Sequence, residues 1–176
     1  MILAIQDANI LIDLHNAGLL ETYFRLGIET HTTDLVLREV QQPVEIFVLR
    51  GQLKIKSLTG EEIADLWVFA SEQPSGLTLE DCSVLQLAMQ MKAILLTGDN
   101  KLRNHAIKTK VEVRGVLWVL DILLKETLLD HATAIDCLNK LMKTNPRLPS
   151  GDCEHRLKVW AEGRGVITIP TRTPKK

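Results

Sequence analysis

Residues 93–99 read Ala-Ile-Leu-Leu-Thr-Gly-Asp, an unbroken apolar run that closes on a turn and an acid. A strand that is apolar on both faces belongs inside a parallel sheet, where helices cover both sides. Residues 2–7, Ile-Leu-Ala-Ile-Gln-Asp, repeat the pattern at the other end of the chain. In both places the acid is followed at once by a helical pattern. Strands that feed helices in this way predict an α/β layer fold with a parallel sheet.

The flanking segments extend that reading. A helix is expected from about Ala8 to Ala17, closed by Gly18, and further helical turns over Leu19–Leu26, stopped by Gly27. Ile28–Thr32 is short and β-branched and predicts a strand near the sheet's edge. Thr33 and Asp34 supply an N-cap and a first-turn acid for a helix through Leu35, Val36 and Val40. Leu53–Leu58 alternates apolar and polar residues, as a half-exposed strand does. Thr59 with Glu62 forms a capping box for a helix through Leu66, Phe69 and Ala70, and Pro74-Ser75-Gly76 reads as a loop. Thr78 with Asp81 forms a second box, for a helix to about Met91 with Leu85, Ala88 and Met89 on one side.

After Asp99 the pattern predicts a helix over Lys101–Lys108 and a strand over Val111–Arg114. Three further helices are expected over Leu117–Leu124, Asp130–Met142 and Asp152–Glu162. The expected organisation is an α/β domain over 1–115, a helical extension packed on it over 116–165, and a flexible tail over 166–176.

A chain of 176 residues suits one well-buried core. Its 21 basic and 22 acidic residues nearly balance, so any nucleic-acid footprint has to be local. Cys82, Cys137 and Cys153 show no CxxC spacing and read as buried thiols of a reducing, cytoplasmic compartment. Asp7 and Asp13 interrupt the N-terminal apolar run, so neither a secretory signal nor a membrane span is expected.

Ligands of parallel α/β sheets bind at the carboxyl ends of the strands. Asp7 and Asp99 lie at that edge. The helix after Thr78 runs antiparallel to the strand it precedes, which brings Asp81 in its first turn to the same edge. Glu39, more than a turn into its helix, leans back toward the edge as helical side chains do. Taken singly, each acid reads as an ordinary cap, turn or surface residue. Four like charges on one edge repel one another, and such clusters serve chiefly to hold hard cations.

Four stretches, taken in order, resemble the PIN-domain ribonucleases. They are Asp-Ala-Asn-Ile-Leu-Ile-Asp at 7–13, Leu-Val-Leu-Arg-Glu-Val at 35–40, Leu-Thr-Leu-Glu-Asp-Cys-Ser-Val-Leu-Gln-Leu-Ala at 77–88 and Leu-Leu-Thr-Gly-Asp-Asn-Lys-Leu at 95–102. The resemblance covers residues 1 to about 115. It implies a three-layer α/β/α sandwich and a Mg²⁺- or Mn²⁺-dependent endoribonuclease site that activates water for attack on an RNA phosphodiester. Asp7, Glu39, Asp81 and Asp99 would then be the catalytic metal ligands, with Asn9 and Thr97 supporting them by hydrogen bonds. Many relatives carry a further acid after the fourth. Here Asn100, Lys101 and Leu102 follow instead, which leaves one expected metal site and the question of a second open. Resemblance to the VapC-like toxin type further implies a small antitoxin partner and a homo-oligomer.

Cations must hold the RNA phosphates beside such an acidic centre. Lys101 and Arg103 are the expected contacts, with Arg114 further on and Lys108 and Lys110 on a solvated helix face. The five histidines lack ligand spacing, and only His105 is expected near the site. Trp67, Trp118 and Trp160 read as packing residues. Leu117, Leu120, Ile122, Leu123 and Leu124 offer an apolar helix face for a protein partner. A competing reading is a non-catalytic PIN-like binding module in a protein or RNA assembly. An aspartyl-phosphate enzyme is disfavoured, because Asp7-Ala8-Asn9 lacks the paired Asp-x-Asp that chemistry needs.

Overall fold

The computed structural model describes residues 2–73 and 76–165. Five strands form one sheet: β1 (Leu3–Gln6), β2 (Glu29–Thr33), β3 (Leu53–Lys56), β4 (Ile94–Leu96) and β5 (Val113–Arg114), ordered β3-β2-β1-β4-β5. Every pairing is parallel, with Ala4 opposite Thr30 on one side and Ile94 on the other. All five carboxyl ends therefore share one edge, and β1 is the middle strand with β4 beside it.

The helices are α1 (Ala8–Asn16), α2 (Leu20–Phe24), α3 (Asp34–Leu37), α4 (Glu45–Leu49), α5 (Gly60–Ser71), α6 (Leu79–Met91), α7 (Asn100–Lys108), α8 (Val116–Lys125), α9 (His131–Thr144) and α10 (Ser150–Ala161). Neighbouring residues of a strand point to opposite faces. Accordingly, Ala4 joins a core with Leu11, Tyr23, Val119 and Leu138, whereas Ile5 joins another with Val36, Leu85 and Leu102. The two cores lie on the two faces of the sheet, and the molecule is a three-layer α/β/α sandwich.

Both capping boxes form as local chemistry dictates, Thr59 with Glu62 and Thr78 with Asp81. The helix expected to run through Val40 is shorter. It ends at Leu37, and single turns carry the chain on through Glu39 N to Val36 O and Val40 N to Leu37 O. Pro43 lies just beyond and disfavours helix at the residue before it. Between there and β3, α4 is a helix that sequence pattern did not suggest.

Side-chain directions bring further corrections. Leu117, Leu120 and Leu123 are buried and Leu124 packs against the same core, so this face is interior rather than a surface for a partner. Met89 is exposed, whereas Leu85 and Ala88 on the same helix are buried. Trp160 is core, but Trp67 on α5 is 61% exposed. All three cysteines are buried, free and helical.

Residues of α8, α9 and α10 complete the core under α1 and α2. Asn145, at the end of α9, donates to Asp13 Oδ2 of α1 at 2.8 Å. Arg156 of α10 forks onto Asp121 of α8, with Nε–Oδ1 3.0 Å and Nη2–Oδ2 2.6 Å, and is 7% exposed. The tail expected over 166–176 lies outside the described residues, as do Pro74 and Ser75.

Candidate active site

β1 ends at Gln6, and Asp7 both continues the ladder and starts α1. Its N–H donates to Leu96 O at 3.0 Å, and its extended backbone makes it the N-cap. Asp7 Oδ1 accepts from Ala8 N at 2.7 Å, while Oδ2 accepts from the Thr97 hydroxyl at 2.7 Å and from Asn9 Nδ2. The carboxylate is only 5% exposed. Burial pushes its pKa up to about 6; the Thr97 bond opposes that rise and the charge of Asp81 adds to it.

Thr97 follows β4 and is fully buried. Its hydroxyl donates to Asp7 and accepts from Asp99 N at 3.0 Å. Asn9 closes the turn from the other side, with Oδ1 accepting from Gly98 N at 2.7 Å. A Cβ at position 98 would stand 3.1 Å from that oxygen, so glycine is what allows the approach. Asn9 and Thr97 thus hold the first acid and the turn carrying the fourth.

Asp99 caps α7, its Oδ1 accepting from Lys101 N at 2.8 Å and Leu102 N at 2.9 Å. Asp81 closes the capping box of α6 through Oδ2, which accepts from Thr78 N at 2.9 Å. Burial raises the Asp81 pKa; the Thr78 bond lowers it, and the charges of Asp99 and Glu80 raise it further. Glu39 lies past the C-cap Arg38, so it reaches the edge from a turn rather than from within a helix. Burial raises its pKa first, then the charges of Glu80 and Asp81.

The charge of Asp81 thus raises the pKa of Asp7 and Glu39, and that of Asp99 raises the pKa of Asp81. Glu80 is a fifth acid of the cluster that sequence reading passed over. Its signal was present, since it shares the first turn of α6 with Asp81.

The donor set is carboxylate oxygen, the chemistry that suits Mg²⁺ or Mn²⁺. Asp81 keeps Oδ1 and Asp99 keeps Oδ2 outside their capping bonds. Among the described residues no three His, Cys, Asp or Glu side chains stand in ready metal-holding geometry.

Cations border the acids. Lys101 is exposed and lies over Gly76, with Nζ 2.9 Å from where a Cβ at that glycine would sit. Arg103 turns inward and donates from Nη2 to Thr97 O at 2.8 Å. Arg114 ends β5 and pairs with Glu112 at 2.7 Å. Lys56 ends β3 at the opposite flank and pairs with Glu62 at 2.6 Å. His105 belongs to the helix layer, not the acids: its Nε2 meets Gln73 Oε1 at 2.6 Å.

The parallel α/β sandwich carries a buried acid, two supporting polar residues and further carboxylates at the carboxyl edge of its sheet. The family DUF3368, described as a PIN domain, matches residues 3–162, and the chain belongs to it. Over 93 residues the chain is 36% identical to the endoribonuclease Nob1 of Methanocaldococcus jannaschii, a match taking in 51% of this chain and 47% of that relative. The matched stretch thus spans about half the length of that curated relative. Among solved structures, PAE2754 from Pyrobaculum aerophilum aligns with TM-score 0.49 at 18% identity, over 70% of this chain and 98% of that one. A PilT N-terminus domain protein, SSO1118 from Sulfolobus solfataricus P2, aligns with TM-score 0.44 at 13% identity, over 67% and 90%. No helix among the described residues is long and apolar enough to cross a membrane.

Proposed function

We propose that this protein is a Mg²⁺- or Mn²⁺-dependent endoribonuclease that hydrolyses RNA phosphodiester bonds at the Asp7, Glu39, Asp81 and Asp99 edge. The observation that carries the reading is the buried Asp7 carboxylate, held by Thr97 and Asn9 while facing the charge of Asp81. Folding keeps two acids in each other's field there, an arrangement that a bound cation stabilises. The PIN-domain family and the likeness to an endoribonuclease support the same reading.

Asp7, Glu39, Asp81 and Asp99 would hold the cation, whose charge acidifies a water and neutralises the phosphate oxygens. Thr97 and Asn9 fix the Asp7 carboxylate, so that its oxygens present one orientation. One of these carboxylates would also accept the proton of the attacking water, and the ribose oxygen on the other side of the phosphorus would leave and take up a proton from solvent. Lys101 and Arg103 border the site as phosphate contacts.

RNA cleavage assayed with Mg²⁺ or Mn²⁺ tests this, comparing wild type with Asp7→Asn and Asp99→Asn. Metal-stimulated cleavage lost in both variants supports it. Equal activity in all three proteins points to a contaminant and sinks it. RNA binding without any cleavage favours the non-catalytic module. The toxin role, with a small antitoxin and a homo-oligomer in the cytoplasm, rests on resemblance and is tested by an antitoxin reading frame immediately upstream.

A further inference from the structure

β2 ends in two buried hydroxyls with different partners. Thr32 Oγ1 donates to Gln6 O at 2.8 Å, at the residue before Asp7. Thr33 Oγ1 meets Ser83 Oγ of α6 at 2.8 Å, across 50 positions of sequence. Thr33 is fully buried and Ser83 is 3% exposed. The protons of this second contact have one arrangement. Glu80 O only accepts, so Ser83 donates to it, at 2.7 Å. A hydroxyl has one proton, so Ser83 is left to accept from Thr33. Thr33 in turn accepts from Val36 N at 3.3 Å, as the N-cap of α3. The bonds therefore run from Val36 N–H through Thr33 and Ser83 to Glu80 C=O, and they join the start of α3 to the first turn of α6.

Helix formation alone gives no reason for a serine here. Ser83 sits among Cys82, Val84 and Leu85, all fully buried, where alanine forms helix better and needs no partner. The need lies with α3. Its four residues do not hold themselves as a helix in water, and Glu39 lies two residues past their end. Two contacts fix this arm: Val36, which shares a core with Val84 and Leu85, and Thr33 on Ser83. Glu39 N returns to Val36 O at 3.0 Å, so the backbone of the acid follows where those contacts put it. The charges of Glu80 and Asp81 oppose that approach, and the backbone has to impose it.

We propose that Thr33 and Ser83 are positioning residues of the candidate site: a buried hydroxyl joint that holds the Glu39 arm against the helix carrying Asp81, so that both carboxylates serve one divalent cation. The inference rests on the cation-holding reading of the acidic edge and adds what brings Glu39 into it. Thr32, bonded to Gln6 O, fixes the same strand end to the strand that carries Asp7. The joint passes that fix on to α6, and its part in cation binding is exerted through Glu39.

Isothermal titration of Mn²⁺ into the metal-free full chain tests the joint, with RNA cleavage as a second readout. Thr33→Val and Ser83→Ala should each weaken Mn²⁺ binding about tenfold, the usual size for a residue that supports a ligand. Thr33→Ser keeps the hydroxyl and should bind Mn²⁺ as wild type does. Leu141→Ala, in the core on the opposite face of the sheet, should lower Tm and leave Mn²⁺ affinity unchanged. The deciding comparison is a cycle with Glu39→Ala. In that background Ser83→Ala should cost no further affinity, because the arm it holds carries no ligand. Should Thr33→Val fail to fold, Ser83→Ala carries the decision, since it keeps the cap of α3 and favours helix. Additive losses in the cycle, or unchanged affinity in the folded single variants, overturn the joint and leave the nuclease reading standing. A wild type that binds Mn²⁺ but cleaves no RNA overturns the nuclease reading alone, and the cycle still decides the joint. A wild type that binds neither Mn²⁺ nor Mg²⁺ overturns both.

Discussion

Thr97 donates its hydroxyl proton to Asp7 Oδ2 at 2.7 Å, joining residues 90 positions apart across the β1–β4 seam. Because the same hydroxyl accepts from Asp99 N, one oxygen ties the two strand-end acids together.

Thr97→Val keeps the shape and removes that oxygen. A buried carboxylate then loses one partner, and the expected destabilisation is about 1–3 kcal/mol by urea titration. RNA cleavage should fall at least about tenfold, since a displacement worth 1.4 kcal/mol in the barrier is enough. Thr97→Ser restores the hydroxyl and should recover most of both. A valine variant with wild-type stability and cleavage would remove Thr97 from the site.

Cation binding should register as stability, because the folded state alone assembles the acids. At about a hundredfold excess over the dissociation constant, Mn²⁺ should add about 2.7 kcal/mol, seen as a concentration-dependent rise in Tm. Asp81→Asn should abolish most of that rise, since Asp81 would be one of the cation's four ligands. No response of wild type to Mn²⁺ or Mg²⁺ counts against the cation reading.

The metal-free protein should lose stability as pH rises from about 4 to 6. Asp7 has a folded pKa of about 6 against an ordinary 3.8, so the folded state holds its proton more tightly than the unfolded chain. Its contribution is fully present below about pH 4, declines as pH rises through 6 and is absent above. Integrated over the shift, that is on the order of 3 kcal/mol. Asp81 and Glu39 are raised in the same direction. Urea titrations in EDTA at several pH values check this against Asp7→Asn, whose subtraction cancels titrating groups elsewhere. A constant difference between the two proteins across that window refutes it.

Arg156→Ala should cost about 3–5 kcal/mol, because it strands Asp121 under the helical extension. Arg156→Met with Asp121→Leu should be close to neutral. Since α8–α10 share a core with α1 and α2, wild type should unfold in one transition by both circular dichroism and tryptophan fluorescence. Two separated transitions would make residues 116–165 a unit of their own.

Strand ends and helix caps were legible in the chain because they are set within a few residues. Ala93–Thr97 reads as a buried strand wherever it sits, and Thr78 with Asp81 closes a box by reach alone. Those local facts, with the rule that parallel strands end together, brought Asp7, Asp81 and Asp99 to one edge. What only the tertiary structure decided depends on where distant backbone lies. Glu39 arrives from a turn past a four-residue helix, and Glu80 joins by the packing of α3 against α6. The apolar face of α8 turned out to be interior, because α1, α2 and α9 cover it. Arg103 donates to Thr97 because Gly115, at the start of α8, leaves the space of one missing methyl group. Periodicity carries no information about such room: it is created by two chain segments meeting.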